Sequence, residues 1–198
     1  MSEFKKIGLE ENLILAIEKM GFETPSEVQS KTVPILLEKD TDLVALAQTG
    51  TGKTAAFGFP MIQKIDINSK KTQGLILSPT RELCLQITNE LKQYGQFYKG
   101  LNITAIYGGA SITDQARSVK KGSQIIVATP GRMKDMINRK LVNISEIKYS
   151  VLDEADEMLN MGFYEDITDI LSFTPKEKNT WLSVSYTHLR AHETTHDL

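Results

Sequence analysis

A glycine-rich segment that contains a lysine and a threonine carries the clearest chemical signal in the sequence. Residues 48–54 read Gln-Thr-Gly-Thr-Gly-Lys-Thr and follow an apolar run, residues 43–47, that is typical of a buried strand. Glycines let backbone N–H groups close around an anion, and a helix that begins near Lys53 presents its unpaired N–H groups to the same anion. Lys53 would add charge at the β- and γ-phosphates, and Thr54 a hydroxyl for Mg²⁺. The segment predicts a triphosphate cradle, although the generic motif begins with Gly where this chain has Ala47.

Two adjacent carboxylates follow a second apolar run, residues 149–152. Asp153 and Glu154 open the tetrapeptide Asp-Glu-Ala-Asp. In nucleoside triphosphatases with such a cradle, a carboxylate at a strand end holds Mg²⁺, usually through water, and Asp153 has that position. Glu154 is near enough to activate a water in line with the γ-phosphate, so we predict that it is the general base. In isolation the tetrapeptide is more typical of a solvated helix N-terminus, and the cradle upstream favours the catalytic interpretation.

These side chains need a scaffold, and the sequence alternates short apolar runs with longer helical patterns. This alternation predicts an α/β fold in which a parallel sheet is covered by helices on both faces. In such sheets ligands bind beyond the carboxyl ends of the strands. The predicted strands are residues 43–47, 74–77, 103–107, 124–128, 149–152 and 180–182. The predicted helices are residues 26–38, 53–65, 81–98, 112–121 and 132–139, after an amphipathic N-terminal helix.

Composition and charge narrow the class of protein. A chain of 198 residues suits one domain of ordinary size. The net charge of −2 argues against a protein that coats nucleic acid through bulk positive charge, but it leaves local phosphate contacts open. The single cysteine, Cys84, excludes an internal disulfide and is expected to be buried. Because no run approaches the roughly 18 apolar residues of a membrane span and the N-terminus does not resemble a signal peptide, we expect a cytoplasmic protein without membrane contact.

Taken together, the motifs resemble those of the DEAD-box ATP-dependent RNA helicases. The tetrapeptide Asp153–Asp156 spells the family name, and the other family motifs occur in the family's order over about residues 4–182. The resemblance implies a P-loop NTPase with a RecA-like sheet, a monomer, ATP and Mg²⁺ as cofactors and RNA as partner. It implies Mg²⁺ contacts for Thr54 and Asp153, and a relay between domains for Asp156.

Residues 21–29 resemble the family's Q motif, which implies an adenine site. Gln29 would bond the adenine edge through its amide, which both donates and accepts hydrogen bonds. Phe22 would lie against the adenine face with Phe4 nearby, and the alternative for both rings is core packing. The resemblance assigns the phosphates to Gln48, Thr49, Gly50, Thr51, Gly52, Lys53 and Thr54.

Three further motifs resemble the family's contacts to the RNA backbone. Each follows a predicted strand and opens a helix or a tight turn, where hydroxyls, charge and free N–H groups fix phosphates and sugars without reading bases. The resemblance therefore implies single-stranded RNA binding with little sequence preference. The residues concerned are Pro79, Thr80, Arg81, Gly108, Gly109, Thr129, Pro130, Gly131 and Arg132.

The resemblance breaks near Ser183. The family has a Ser-Ala-Thr motif here, whereas this chain continues Ser-Val-Ser-Tyr-Thr-His, and all three histidines fall in the last eleven residues. We interpret residues 1–182 as the RecA-like domain with its Q motif and residues 183–198 as a foreign or out-of-frame tail. The alternative is a metal site, because the histidines at positions 188, 192 and 196 share one face of a helix.

The family has a second RecA-like domain, and ATP and RNA bind between the two. That domain supplies arginine fingers worth roughly 10³–10⁵ in turnover, so this fragment alone is expected to hydrolyse ATP very slowly and not to unwind RNA. Two other functions remain open. One is a short form that binds RNA or a protein without catalysis, and the other is a DNA helicase or translocase of the same superfamily.

Overall fold

The computed structural model describes residues 2–185 and confirms the predicted parallel sheet. Its strands are β1 (Leu43–Ala47), β2 (Gly74–Leu77), β3 (Ile103–Ile106), β4 (Ile125–Ala128), β5 (Tyr149–Leu152) and β6 (Asn179–Ser185). They lie in the order β1-β6-β5-β2-β4-β3, and every neighbouring pair is parallel. All strand ends that precede the predicted motifs therefore meet at one edge of the sheet.

Helices connect the strands and precede the first one. They are α1 (Glu3–Lys6), α2 (Glu11–Lys19), α3 (Glu27–Glu38), α4 (Lys53–Lys64), α5 (Arg81–Tyr94), α6 (Ile112–Lys120), α7 (Pro130–Asn138), α8 (Ala155–Asn160) and α9 (Tyr164–Ser172). Helices α3 to α7 agree with the predicted helices to within a few residues. The predicted N-terminal helix is divided into α1 and α2 by Gly8, which has a φ of 96°, and α8 and α9 were not predicted.

Two hydrophobic layers cover the two faces of the sheet. The helices that follow β1 and β2 pack on one face, where Phe57 and Ile87 are buried, and Cys84 is buried there as predicted. The helices that follow β3, β4 and β5 pack on the other face, where Met133 and Met158 are buried. Because the helices after β1 and β5 pack on opposite faces, a topological switch point, where such sheets bind ligands, lies between these strands at the carboxyl edge.

Trp181 anchors β6 at the centre of the first layer. Its fully buried ring stacks on Phe57 of α4, with centroids 6.1 Å apart, and on Tyr149 of β5, with centroids 5.1 Å apart. The indole Nε1–H donates a hydrogen bond of 3.1 Å to the carbonyl of Thr41. These contacts fix β6 between β1 and β5.

Strand β6 continues past the predicted domain boundary. Ser183 pairs with Ala45 and Ser185 with Ala47 in the parallel register, so the boundary after residue 182 falls within the strand. Residues 186–198 lie outside the described residues, and so do the proposed tail beyond Ser185 and the three histidines. Within residues 2–185 no helix has the length and apolar character needed to span a membrane.

Candidate functional site

The strand order sorts the predicted motifs into two neighbouring groups. The ends of β1 and β5 carry residues 48–54 and 153–154, which we call the nucleotide group after the contacts expected of them, and residues 183–185 of β6 lie between the two. The ends of β2, β4 and β3 carry residues 79–81, 129–132 and 108–109, which we call the RNA group after the contacts expected of them. Because β5 pairs directly with β2, the two groups meet at the middle of the sheet edge.

The loop from β1 to α4 has the backbone of an anion cradle. Gly50 and Gly52 have φ angles of 80° and 85°, a left-handed conformation that glycine adopts without steric cost. Inside the loop, the Thr51 hydroxyl donates a hydrogen bond of 2.6 Å to the carbonyl of Gln48. Lys53 begins α4 and is buried, so a cation lies beside the positive end of a twelve-residue helix.

Gln29 connects α3 to this loop. Its side-chain oxygen accepts a hydrogen bond from the Ser26 N–H at 3.1 Å, which completes a capping box on α3. Its Nε2 donates to the carbonyl of Gly52 at 3.3 Å. A Cβ at position 52 would lie 2.4 Å from this Nε2, so only glycine permits the approach. Gln29 therefore lies against the loop that precedes α4, and its contact with the adenine edge stays a prediction.

The two phenylalanines expected near adenine occupy different environments. Phe22 is 50% exposed, so its ring is available to a ligand. Phe4 is only 1% exposed and packs edge-on against Phe59 of α4, with centroids 6.4 Å apart. The core-packing alternative thus describes Phe4 in this structure, and Phe22 is the ring that faces solvent.

Of the two carboxylates at the end of β5, Asp153 is buried and Glu154 is partly buried. Burial raises the pKa of Asp153, while the adjacent Ser183 hydroxyl, the charge of Lys53 and the Glu154 N–H, 3.1 Å away, act in the opposite direction. Burial, together with the charge of Asp153, also raises the pKa of Glu154. Both acids are therefore electrostatically linked to the lysine of the phosphate loop, on the far side of β6.

Glu154 has a left-handed backbone, with φ 51° and ψ 52°, directly before α8. A residue with a side chain rarely adopts this conformation, which costs of order 1–3 kcal/mol and persists where surrounding structure imposes it. The turn separates Glu154 from the helix that follows, in whose first turn Asp156 lies. The strain therefore marks the point where the acid pair leaves the strand.

Ser183 is a candidate site residue that the sequence reasoning missed. Along β6, Trp181, Ser183 and Ser185 are the buried alternate residues and share one face of the strand. The hydroxyls of Ser183 and Ser185 have the spacing of the hydroxyls in a Ser-Ala-Thr motif. The alternation with Trp181 was the available signal, but the change of composition after residue 182 obscured it.

In the RNA group, Arg81 is positioned by an aromatic ring. Thr80 caps α5 by accepting a hydrogen bond of 3.2 Å from the Leu83 N–H. The guanidinium of Arg81 lies 5.0 Å from the centroid of the Tyr107 ring, a cation–π contact. A Cβ at Gly109, which has a φ of 79°, would lie 3.3 Å from Arg81 Nη1. The motif after β2 and the glycine turn after β3 are thus in contact.

The remaining RNA-group residues lie around the start of α7. Thr129 precedes the helix, and its N–H donates to the Ile106 carbonyl at 2.9 Å, while Pro130 takes the first helical position. Within residues 2–185, a Cβ built at Gly108 or Gly131 would meet no atom within 4 Å beyond its chain neighbours and its own helix backbone, so both positions are open to a close backbone approach. Pro79 is buried at the end of β2.

Gln115 of α6 joins the loops of this group and was not predicted. Its amide forms two hydrogen bonds with the backbone of Tyr107, accepting at 3.3 Å and donating at 3.0 Å. Arg132 donates to the Gln115 Oε1 at 3.1 Å and to the Ala110 carbonyl at 2.9 Å. Gln115 is buried although it is polar, and its position on the sheet-facing side of an amphipathic helix was a weak signal.

Sheet order, the glycine loop before α4 and the acid pair after β5 define a RecA-like α/β domain of the P-loop class. Comparison with known proteins narrows this class. Residues 26–193 match the DEAD/DEAH box helicase family. The chain belongs to this family.

Similar proteins are known from sequence and from solved structures. The chain is 50% identical over 182 residues to the ATP-dependent RNA helicase CshA of Listeria monocytogenes, an alignment that spans 92% of this chain and 35% of that protein. A DEAD box protein from Methanococcus jannaschii superposes with a TM-score of 0.89 at 39% identity, over 98% of this chain and 53% of that one. Saccharomyces cerevisiae Dbp5 bound to RNA and ADP BeF3 superposes with a TM-score of 0.84 at 31% identity, over 98% and 50%. The chain thus spans about a third of the curated relative and about half of each solved structure.

Proposed function

We propose that this chain binds ATP with Mg²⁺ and the backbone of single-stranded RNA, as the nucleotide-binding half of an ATP-dependent RNA helicase. The observation that carries the proposal is the division of one sheet edge into a nucleotide group and an RNA group that meet at β5 and β2. The similar proteins support it, since CshA is named an ATP-dependent RNA helicase and the Dbp5 structure contains RNA and ADP BeF3.

The residues present fit a magnesium nucleotide. The left-handed glycines, the start of α4 and the buried Lys53 suit a polyphosphate. Thr54 and Asp153 offer hydroxyl and carboxylate oxygens, which are the ligands Mg²⁺ prefers. Within residues 2–185 no group of three or more His, Cys, Asp or Glu side chains is arranged to hold a metal ion. A magnesium ion here would therefore depend on phosphate oxygens and water, as is usual for nucleotide sites.

The adenine is assigned to Gln29 and Phe22. The Gln29 amide uses one of its two N–H groups on Gly52 and one oxygen lone pair on Ser26, so it retains one donor and one acceptor for the adenine edge. The exposed ring of Phe22 is available to stack on the base. This pairing favours ATP over GTP, and both residues lie in the proposed Q motif, residues 21–29.

In the proposed reaction, bound ATP supplies a γ-phosphoryl group for transfer to water. Lys53 balances the negative charge of the phosphates. Thr54 and Asp153 would hold Mg²⁺ through their side-chain oxygen atoms or through water. Glu154 accepts the proton of the attacking water, and its raised pKa makes it a stronger base than an ordinary glutamate. Asp156 relays the state of the site to the second domain. The hydroxyl of Ser183, in β6, is adjacent to Asp153.

RNA would be held through its backbone by the RNA group. Arg81, Thr80 and Arg132 offer charge and hydroxyl groups, while Gly108, Gly109 and Gly131 permit close approach. Such contacts carry little base information, so we propose binding with little sequence preference. Turnover and strand separation are proposed to need a second RecA-like domain that supplies arginine fingers, in a monomeric cytoplasmic enzyme.

A titration with a fluorescent ATP analogue and Mg²⁺ tests the proposal. We expect saturable binding that ATP displaces better than GTP, loss of binding in Lys53→Ala, and unchanged binding in Lys92→Ala, an exposed lysine of α5. Equal affinity in Lys53→Ala and the parent chain would contradict the cradle. RNA binding without any nucleotide binding would favour the non-catalytic short form. Binding of duplex DNA but not of RNA would favour a DNA translocase.

A further inference from the structure

A second concave surface lies away from the motifs. A groove of about 1290 Å³ opens between α6, residues 70–72 before β2, the last two residues of α7, and residues 140–146 before β5. Two of these segments precede strands, so the groove lies toward the amino edge of the sheet, opposite the nucleotide and RNA groups. No residue of either group lines it.

The floor of the groove is aliphatic. Val119 of α6, Ile137 of α7 and Val142 after α7 line it and are only partly buried. At its margin, Leu141 is 37% and Phe173 54% exposed. Contiguous apolar side chains that remain open to water typically mark an interaction surface.

The rim of the groove is basic. Five cationic side chains and one carboxylate line it, in a chain whose net charge is −2. The carboxylate, Glu146, is paired with Lys71 at 2.9 Å. Across residues 2–185, no carboxylate oxygen lies within 4.0 Å of the ammonium groups of Lys70, Lys120 or Lys140. Three uncompensated positive charges therefore surround an apolar floor.

Lys140 has a backbone conformation that glycine would adopt more easily. Its φ is 56°, in the turn that ends α7, and its side chain lines the groove. The turn fixes the direction in which the Lys140 side chain leaves the backbone, and Lys120 is the last residue of α6. Two of the basic side chains that line the groove are thus attached at or just after a helix end.

We propose that this groove docks an acidic amphipathic peptide segment of a partner protein. The cavity exceeds the roughly 300–1,000 Å³ typical of small-ligand pockets. An amphipathic segment would lay apolar anchors on Val119, Ile137 and Val142, in the manner of a helix in a groove. Its carboxylates would complement Lys70, Lys120 and Lys140, and such complementarity chiefly sets specificity and association rate. RNA fits less well, because among the described lining residues the one aromatic ring, Phe173, lies at the margin and the floor is aliphatic.

Selection from a displayed library of random peptides, roughly 16 residues long, tests the proposal on the 198-residue chain. The selected peptides are expected to combine acidic residues with apolar residues at helical spacing. Their affinity, measured by fluorescence anisotropy, should fall about 10-fold or more in Lys120→Glu/Lys140→Glu. It should be unchanged in the matched control Lys92→Glu/Lys99→Glu, which changes exposed lysines on and just after α5, on the opposite face of the sheet.

Several results would overturn the proposal: no selected peptide, peptides without acidic character, or equal weakening by the two double variants. An oligouridylate of about 12 nucleotides is added as a competitor. It should leave the peptide bound, and displacement together with weaker RNA binding in Lys120→Glu/Lys140→Glu would assign the groove to RNA instead.

Thermal denaturation checks the fold of each variant, and Lys120→Ala/Lys140→Ala repeats the test without introducing carboxylates. ATP binding is measured in parallel, so failure of the groove and failure of the nucleotide proposal give different results.

Discussion

The guanidinium of Arg132 donates a hydrogen bond of 3.1 Å to the side-chain oxygen of Gln115, and this contact connects two of the three RNA-group loops. The same glutamine holds both backbone groups of Tyr107, whose ring lies beside Arg81. One buried amide therefore positions the loops after β3 and β4 together. Gln115 acts through Tyr107 and Arg132, so its replacement should weaken RNA binding and leave nucleotide binding unchanged.

Gln115→Leu is expected to weaken RNA binding and leave ATP-analogue binding unchanged. The substitution leaves the Tyr107 backbone groups and one Arg132 bond without their partner, which should cost about 1–3 kcal/mol of unfolding free energy. Anisotropy with labelled oligouridylate and urea denaturation measure the two effects. Gln86→Leu, at an exposed position of α5, is the control and should change neither. Full RNA affinity in Gln115→Leu would show that the loops hold their positions without the amide.

Gly52→Ala should damage the phosphate loop more than Gly50→Ala. Both glycines have a left-handed φ, so both substitutions impose backbone strain of order 1–3 kcal/mol. Only at position 52 does the added Cβ collide with Gln29 Nε2, at 2.4 Å, whereas a Cβ at position 50 meets no atom within 4 Å. Melting temperature and ATP-analogue affinity are compared for the two variants.

The collision itself is tested by adding Gln29→Ala to Gly52→Ala. If the contact with Gln29 is the cause, the double variant should be more stable than the sum of the two single effects predicts. Strict additivity, or equal losses in Gly50→Ala and Gly52→Ala, would mean that the contact between α3 and the loop is unimportant.

Asp153→Asn should stabilise the free chain, and more so at pH 8 than at pH 5. Burial raises the pKa of Asp153 from its ordinary value of 3.8, so the folded state binds this proton more tightly than the unfolded state. The contribution of Asp153 to the unfolding free energy therefore falls as the pH rises from 3.8 through the raised folded-state pKa. Asparagine does not titrate, so the variant keeps its unfolding free energy as the pH rises. Each 1 kcal/mol of unfolding free energy gained raises the melting temperature by about 2–4 °C.

Melting temperatures measured between pH 5 and pH 8 check this sign, with Asp114→Asn, an exposed carboxylate of α6, as the control. A gain in Asp153→Asn that is largest at low pH would contradict the burial of an ionised carboxyl group. The nucleotide-free chain is used throughout, because a bound magnesium ion would change the charge balance at Asp153.

Glu154→Gln is expected to keep ATP-analogue binding and to lose turnover. Glutamine preserves the size of the side chain and its hydrogen-bonding reach, but it cannot accept the proton of an attacking water. RNA-stimulated phosphate release is measured with the chain joined to a second RecA-like domain. Glu157→Gln, three positions along in α8, should release phosphate at the parent rate. Parent-level release in Glu154→Gln would exclude it as the general base.

Local patterns in the sequence were sufficient for the parallel fold and for placing the motif residues at the carboxyl edge of the sheet, while the roles of these residues stay predictions. Strands that are buried on both faces contain short, continuous apolar runs, which predicted their positions. Gly50 and Gly52, directly before a helix that begins at Lys53, predicted the phosphate loop. Helices α8 and α9 were missed because the first has only six residues and directly follows the acid pair. Gln115 and Ser183 were missed because their partners lie on other strands and loops, which become neighbours only through the order β1-β6-β5-β2-β4-β3.

Trp181 is the chain's single tryptophan, and it lies two residues from Ser183 in the same strand. Fluorescence of the indole therefore reports from one place, the contact of β6 with Phe57 and Tyr149. Emission from this buried ring should shift to longer wavelength when that half of the sheet opens, without any label. Peptide docking in the groove on the opposite face should leave the emission unchanged, so the two surfaces can be followed separately in one sample.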